Sequence, residues 1–280
     1  MGTQPTPHNV RPSHIVNHGW YPSDPRRLAH TVDEFIARAE VPPINGDIVG
    51  ILAPHAGIKY SGAVAGHAFK LLQGLDVEVV ALVGPSHYRF AADIVTTGHD
   101  AYETPLGQVP VDQGILYLLQ QRVQIQTVFH DQEHSLEMEL PFLQRVLGDF
   151  TLVPLALIDH SVQMAQQLGH ALVHALEGKK ALLVASSDLS HFYPQDVANM
   201  LDQVVLDAIE AYEPASVIEA EEQGKGFACG RGAIAAVMIA AQELGADRAQ
   251  VINYATSGDV THTYRSVVGY SAAVFYRAES

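Results

Sequence analysis

Short apolar segments alternate with longer amphipathic ones through most of this chain, and that alternation limits the folds available to it. Ile48–Ala53, Val79–Val83 and Ala181–Ala185 have the length and apolar character of buried strands. Amphipathic stretches of about 10–15 residues with helical periodicity, such as Val162–Leu176, lie between such strands. We therefore predict a mixed α/β fold, a single-domain three-layer sandwich in which helices flank a central mixed sheet.

The same patterns predict the other elements. Further strands are predicted at Asp93–Thr97, Gly107–Val111, Ile125–Phe129, Leu152–Ile158, Gln250–Ala255 and Val267–Phe275. Helices are predicted at Leu28–Ala39, Ser61–Gln73, Gln113–Gln121, Ser135–Leu147, Val162–Leu176 and Arg231–Leu244, with two more within Asp196–Glu222. Ser61 is predicted to cap its helix, and Pro141 is expected to be tolerated within Ser135–Leu147. No linker divides residues 15–280, which predicts one domain after a flexible segment at residues 1–14.

Composition argues against several classes of partner. The chain has 31 acidic residues against 16 Lys and Arg, for a net charge of −15, which is unlike a nucleic-acid-binding surface. No apolar run reaches membrane-spanning length, and no signal-peptide pattern is present. The single cysteine, Cys229, excludes an internal disulfide. These features predict a cytoplasmic protein that binds neither nucleic acid nor membrane.

Histidines follow three of the predicted strands at the point where each strand ends. His55 follows the first strand, His87 the second, and Asp188 and His191 the third. Ligands of open α/β sheets bind beyond the carboxyl ends of the strands, so we expect these side chains to meet in one crevice. A competing interpretation makes Asp188 the cap of a following helix and His191 a surface residue.

The cysteine fits the same crevice. Cys229 precedes the Ala-rich helix predicted from Arg231, and the N-terminus of a helix favours a thiolate, the form that binds metals. Gly230 and Gly232 allow close backbone approach. The alternative is that Cys229 is simply a small buried residue. Two imidazoles and a thiolate suit Zn, Cu or Fe, with a fourth coordination position left open.

Seven motifs, in order from about residue 15 to 275, resemble the Memo family, named AmmeMemoRadiSam system protein B in prokaryotes. They are Gly19-Trp20-Tyr21-Pro22, Pro54-His55-Ala56-Gly57, Gly84-Pro85-Ser86-His87, Glu133-His134-Ser135-Leu136-Glu137, Ser186-Ser187-Asp188-Leu189-Ser190-His191, Cys229-Gly230 and Val268-Gly269-Tyr270. The resemblance implies a LigB-like fold, similar to that of the class III extradiol dioxygenases. Those enzymes hold non-haem Fe(II) with two His and a Glu, and use another His as acid/base.

The resemblance also implies roles for individual residues. His55, His87 and Cys229 would be metal ligands, and His191, with Asp188, would face the metal as the catalytic pair. Residues His134 and Glu137 would lie at the edge of the pocket; within a predicted helix start, Glu137 could equally be a first-turn carboxylate that matches the helix dipole. A thiolate in place of the dioxygenase carboxylate means that ring cleavage does not carry over, and it shifts the metal preference toward Cu(I), Zn or a differently poised Fe. We expect a single transition metal ion, Fe(II) or Cu ahead of Zn.

Three functions are compatible with these residues. The first is a metal-dependent redox or oxygenase-like protein in which His191 is an acid/base oriented by Asp188. The second is a non-catalytic module that binds a peptide or small anion in the same crevice, with Arg231 and the adjacent helix N-terminus as anion donors. The third is a hydrolase or transferase with Cys229 as nucleophile. Eukaryotic relatives are associated with phosphotyrosine peptides, and the prokaryotic name implies a functional link to a radical-SAM protein.

Overall fold

The structure, a computed structural model, describes residues 9–279. Strands run over β1 (Val10–Arg11), β2 (Gly46–Ala53), β3 (Val79–Pro85), β4 (Ile94–Thr97), β5 (Ala101–Thr104), β6 (Gly107–Pro110), β7 (Gln126–Val128), β8 (Thr151–Leu157), β9 (Ala181–Ser186), β10 (Asp188–Tyr193), β11 (Arg248–Thr256) and β12 (Val267–Ala278). Helices run over α1 (Pro25–Arg38), α2 (Ile58–Lys70), α3 (Gln113–Gln120), α4 (Leu140–Val146), α5 (Val162–Leu176), α6 (Gln195–Glu210), α7 (Pro214–Glu222), α8 (Arg231–Glu243) and α9 (Ser257–Thr261). Short 3-10 helices lie at Val16–His18 and Glu137–Glu139.

The large sheet has the strand order β10-β12-β2-β9-β3-β8-β4-β7, with β11 paired to β12. Its centre is parallel, because β9 pairs in parallel with β2 and β3, and β3 with β8. The strands β12 and β4 join the two sides of this centre in the antiparallel direction. The predicted mixed sheet is therefore confirmed, and its parallel centre carries the strands from which the candidate site residues follow.

Helices cover both faces of the sheet. The crossover β2–α2–β3 and the crossover β8–α5–β9 run in opposite directions along the strand order, so right-handed connections place α2 and α5 on opposite faces. Helix α2 packs with α1 and α4, whereas α5 packs with α8 and α3. The predicted three-layer α/β architecture is confirmed. Within residues 9–279, none of the helices is long and apolar enough to cross a membrane.

Residues 9–14 differ from the flexible segment expected for residues 1–14. β1 pairs in parallel with β5 in a small separate sheet, and Arg11 at its end is only 1% exposed. The Arg11 guanidinium pairs with Asp131 at 2.6 Å and with Glu137 at 2.8 Å, and it stacks on the ring of Tyr102. The expectation for residues 1–8 lies outside the described residues.

Two predicted helix starts near the site are wrong for local reasons, and so is the competing interpretation of Asp188 as a helix cap. Helix α2 begins at Ile58 with Gly57 as its N-cap, and Ser61 is buried inside the helix with its hydroxyl donating to the Ala56 carbonyl. The α-helix predicted from Ser135 begins at Leu140, since Pro141 occupies a first-turn position where its missing N–H costs nothing. Asp188 does not cap a helix but starts strand β10.

Candidate metal centre

The parallel strands β2, β3 and β9 end at one edge of the sheet. Ala53 is in register with Ser186 at the ends of β2 and β9, and Val83 is in register with Ala185. The segments that follow therefore enter the same crevice, a cavity of about 820 Å³. Its walls include His55, His87, His134, Asp188 and His191. The prediction that three strand ends converge is confirmed.

The structure brings together the three side chains predicted as metal ligands. One ligand atom each from His55, His87 and Cys229 lies within 4.8 Å of the other two. The Nε2 atom of His55 is 3.4 Å from Sγ of Cys229, and the His55 and His87 rings meet edge to face with centroids 5.4 Å apart. Cys229 lies directly before the N-cap Gly230 of α8, as the sequence predicts.

His55 and His87 each have a hydrogen-bond partner at the Nδ1 atom. The Nδ1 of His87 is 2.9 Å from Oε1 of Glu133, and the Nδ1 of His55 is 2.8 Å from Oγ of Ser186. Metal-binding histidines typically use their second nitrogen in this way, which fixes the ring orientation and leaves Nε2 for the metal. The donor set and its supports therefore fit a transition metal ion.

Glu133 is a functional residue to which sequence reasoning assigned no role. Its carboxylate also forms a compact group with His87 and His134, whose ligand atoms lie within 4.8 Å of one another. However, Oε1 of Glu133 already accepts the backbone N–H groups of His134 and Ser135 besides the His87 ring, and Oε2 accepts the His87 N–H. We assign Glu133 to orienting His87. The only sequence signal was an acidic residue beside His134.

The surroundings set different protonation states for the two histidines. Burial lowers the pKa of His55 well below its ordinary value, and the neighbouring His134 and His87 lower it further. Burial also disfavours the charged form of His87, but its hydrogen bond and charge interaction with Glu133 raise the pKa overall. Although burial opposes ionisation of Glu133, the interactions with His87 bring its pKa to about 2. His55 is therefore neutral, and His87 forms an ion pair with Glu133 in mildly acidic solution.

Cys229 is a thiol in the metal-free protein, contrary to the thiolate that we expected from its place at a helix start. Burial raises the pKa of the Cys229 thiol well above its ordinary value, and the charge of Asp188 raises it further. Two contacts with the backbone of Asp188 hold the cysteine: the Asp188 N–H lies 3.3 Å from Sγ, and the Cys229 N–H donates to the Asp188 carbonyl at 3.2 Å. Desolvation thus outweighs the helix dipole at this position.

Asp188 and His191 lie on the cavity wall beside these ligands. The Oδ1 atom of Asp188 accepts the backbone N–H groups of His55 and Ala56, at 2.9 and 3.2 Å. Burial raises the pKa of Asp188 to about 7, against the lowering effect of those two N–H groups. The Nδ1 of His191 donates to the Leu189 carbonyl at 2.7 Å, which leaves the lone pair on Nε2. Burial lowers the pKa of the His191 imidazole.

The ring of His134 lies between those of Trp20 and His87 and stacks on His87. Its ring centroid lies 4.3 Å from that of Trp20 and 4.4 Å from that of His87. Burial lowers the pKa of His134 to about 4, so this imidazole is neutral near pH 7. His134 lines the cavity, and Trp20 brings the N-terminal segment over it.

Comparison with known proteins identifies the family. A family model described as Memo-like protein matches residues 14–274. The chain belongs to the Memo family. A MEMO1 family protein of Methanopyrus kandleri is 36% identical to this chain over 275 residues, which cover 92% of this chain and 96% of the relative. A MEMO1 family protein of Nitrosopumilus maritimus is 32% identical over 269 residues, covering 93% and 98%. The crystal structure of an uncharacterized Escherichia coli K12 protein aligns with 80% of this chain and 99% of its own, with a TM-score of 0.49 and 12% identity.

Two residues predicted to line the pocket of this Memo-family chain lie elsewhere. Glu137 is fully buried, and its carboxylate binds Arg11 and accepts the Tyr21 hydroxyl at 2.8 Å, because the N-terminal segment folds over it. Arg231 is not among the described residues that line the cavity. Arg231 is the first residue of α8, and its guanidinium forms an ion pair with Glu221 at 3.1 Å. Neither residue contributes to the crevice.

Proposed function

We propose that this Memo-family chain binds a single transition metal ion, Fe(II) or Cu(I) before Zn(II), through His55, His87 and Cys229, and serves as a redox or oxygenase-like protein. The observation that carries the proposal is the convergence of three ligand atoms within 4.8 Å. The fixed Nδ1 atoms of both imidazoles support it, since they direct the remaining nitrogens to the sulfur. A soft thiolate with two imidazoles suits copper and iron better than it suits hard cations.

The cavity side of the site supplies proton chemistry. A bound ion would provide electron transfer and Lewis-acid activation of a substrate oxygen. Asp188, with its pKa raised to about 7, exchanges a proton near neutral pH. Nε2 of His191 accepts a proton from a group bound in the cavity. The rings of Trp20 and Phe192, which line the cavity, would contact the organic part of a bound ligand.

The two other functions receive less support. A cysteine nucleophile needs a thiolate, whereas burial raises the pKa of the Cys229 thiol. Anion binding through Arg231 is opposed by its ion pair with Glu221. Binding of a peptide or small anion without catalysis stays the alternative, since a cavity of about 820 Å³ can hold such a ligand. The link to a radical-SAM protein stays a prediction from the resemblance.

Metal analysis tests the proposal. We expect protein purified without oxygen to carry close to one Fe or Cu per chain, and Cys229→Ser and His55→Ala to lose most of it. His174→Ala is the matched control, because His174 is exposed on α5 away from the cavity, and it should keep the metal. Metal-free protein that takes up neither Fe(II), Cu(I) nor Zn(II) would refute the proposal. Metal retained in full by Cys229→Ser would refute the assigned ligand set.

A further inference from the structure

A buried carboxyl group lies behind the metal centre and belongs to none of the motif assignments. Glu139 ends the 3-10 helix Glu137–Glu139 and is only 1% exposed. Its Oε1 atom is 2.6 Å from the hydroxyl of Ser186, the residue that also contacts His55. Its Oε2 atom is buried and has no hydrogen-bond partner among the described residues. The groups that act on its charge are Ser186 and Asp188, neither of which is a cation.

The three neighbours of the Ser186 hydroxyl fix the position of each proton around it. Its Oγ atom lies 2.7 Å from the Ser135 carbonyl oxygen, 2.6 Å from Oε1 of Glu139 and 2.8 Å from Nδ1 of His55. A serine hydroxyl donates one hydrogen bond and accepts two. The Ser135 carbonyl can only accept, so the Ser186 proton points to it. Glu139 must then donate to Ser186, because otherwise two oxygen atoms would be in contact with no proton between them. His55 must donate as well, because otherwise the lone pair of its Nδ1 would face a lone pair of the Ser186 oxygen.

From this geometry we propose that Glu139 is a positioning residue: a neutral carboxylic acid that donates to Ser186 and, through it, holds the His55 proton on Nδ1. With both acceptor positions of Ser186 defined, Nε2 of His55 keeps its lone pair and faces Sγ of Cys229 at 3.4 Å. The histidine is thus fixed in the one tautomer that presents Nε2 to a metal ion. The consequence for metal binding rests on the proposed function, but the proton assignment does not.

The environment of Glu139 agrees with the neutral form. Burial raises the pKa of its carboxyl well above the ordinary value, and the nearby Asp188 raises it further, whereas the Ser186 contact lowers it only in part. An ionised carboxylate buried without a cation would be costly. The carbonyl oxygen of a neutral acid tolerates the missing partner of Oε2 far better. The second buried glutamate of this helix, Glu137, has the opposite surroundings, since it pairs with Arg11.

Two substitutions separate the hydrogen bond from the volume of the side chain. Glu139→Gln keeps a neutral donor toward Ser186, whereas Glu139→Met keeps a similar length and has no donor. Long-range ¹H–¹⁵N NMR spectra of metal-free protein report the His55 tautomer directly. We expect His55 to carry its proton on Nδ1 in the wild type and in Glu139→Gln. In Glu139→Met the Ser186 side chain loses one of the contacts that hold its Oγ atom beside His55. Where Ser186 turns away, the Nδ1 proton of His55 loses its acceptor, and a second population protonated on Nε2 should appear.

Infrared difference spectra test the protonation state itself. The wild type minus Glu139→Gln spectrum should contain the carbonyl band of a protonated carboxylic acid at pH 7. A carboxylate band in its place would overturn the proposal, as would a wild-type His55 with its proton on Nε2. An unchanged tautomer in Glu139→Met would overturn the positioning role. If Glu139→Met does not fold, Glu139→Leu provides the same NMR test, because its side chain also has no donor to Ser186.

Affinity for Co(II) or Zn(II) provides the functional measurement. Loss of a supporting contact behind a metal-bound histidine weakens binding by about 10- to 100-fold, and we expect that loss in Glu139→Met. Glu139→Gln should bind within about threefold of the wild type, because it retains the donor to Ser186. Equal affinity in Glu139→Met and the wild type would refute the functional part. If no variant binds metal, the proposed function fails, while the NMR and infrared results still decide the proton assignment.

Discussion

Proton release on metal binding tests the chemistry of the Cys229 site most directly. Burial and the neighbouring Asp188 raise the pKa of Cys229, so the side chain is a thiol over the whole neutral range. The proposed metal ion would bind the thiolate, and this proton would therefore leave on binding. His55 contributes no proton because its pKa is lowered well below its ordinary value. His87, whose pKa is raised above 6.5, contributes a fraction that grows as the pH falls toward that value.

The magnitude follows from linkage. Displacement of one proton changes the apparent dissociation constant about tenfold per pH unit, equivalent to about 1.4 kcal/mol. Well above neutral pH we expect about one proton released per ion, and a number rising toward two at pH 6 as His87 becomes protonated. Had Cys229 been the thiolate that its helix position suggests, release at high pH would be near zero.

Isothermal titration with Zn(II), repeated in buffers of different ionisation enthalpy, measures the number of protons released. At pH 8.5, each zinc ion that Cys229→Ser still binds should displace far fewer protons than in the wild type, because a serine ligand binds as a neutral hydroxyl. Tight binding by the wild type at pH 8.5 without proton release would refute the argument that burial keeps Cys229 protonated. Release that does not change between pH 8.5 and pH 6 would refute the argument for His87.

Three further predictions concern stability. Folding lowers the pKa of Glu133 from 4.5 to about 2, so the stabilisation that Glu133 provides is complete above pH 4.5 and is lost as the pH falls toward 2. Folding raises the pKa of His87 above 6.5, so the stabilisation that His87 provides is complete below pH 6.5 and is lost as the pH rises through the raised value. The contribution of this pair to the unfolding free energy, measured in urea titrations as the difference between metal-free wild type and Glu133→Gln, should therefore be largest between pH 4.5 and 6.5, and a difference that does not change with pH would contradict this. Arg11→Met should lower that free energy by about 3–5 kcal/mol, because it leaves two carboxylates buried without a cation; a loss under 1 kcal/mol would contradict this. Gly66→Ala should cost about 1–3 kcal/mol in the same assay, because the new methyl would lie 2.6 Å from the backbone oxygen of Phe35 and push α1 away from α2; an unchanged midpoint would contradict the close approach.

The parts of this fold that sequence could predict are those with local causes. The strands β2, β3 and β9 are continuous apolar runs, and a parallel sheet buried on both faces produces that pattern. Their shared edge then follows from topology, which is why the amino-acid sequence alone predicts that His55 and His87 lie together. The polar residues just past a buried strand are thus the most predictable part of the site.

The missed features depend on residues far apart in sequence. Arg11 meets Asp131 and Glu137 across separations of 120 and 126 positions, and nothing near residue 11 signals that contact. The prediction that Cys229 is a thiolate considered only its place at a helix start, whereas the pKa of the thiol is set by burial and by Asp188. Glu139 occurs in a stretch that reads as an ordinary helix, and only the folded chain brings it to Ser186.

Three carboxyl groups around this site have three different proton affinities, and the differences come from what each one contacts. Glu133 has the His87 ring and several N–H donors, which keep it ionised with a pKa of about 2. Asp188 has two backbone N–H donors but is otherwise buried, which gives a pKa of about 7. Glu139 has only Ser186 and is neutral. Because Glu133 and Glu139 lie behind the ligands and keep their charge state across the neutral range, they can fix His87 and His55 without exchanging protons themselves.

Asp188 is the carboxyl group that faces the cavity, and it is also the one whose protonation changes near pH 7. Because Oδ1 of Asp188 accepts the His55 N–H and the charge of Asp188 raises the pKa of Cys229, a proton that Asp188 takes from a bound molecule also changes the electrostatics of the candidate ligands, while Glu133 and Glu139 keep the two imidazole rings oriented.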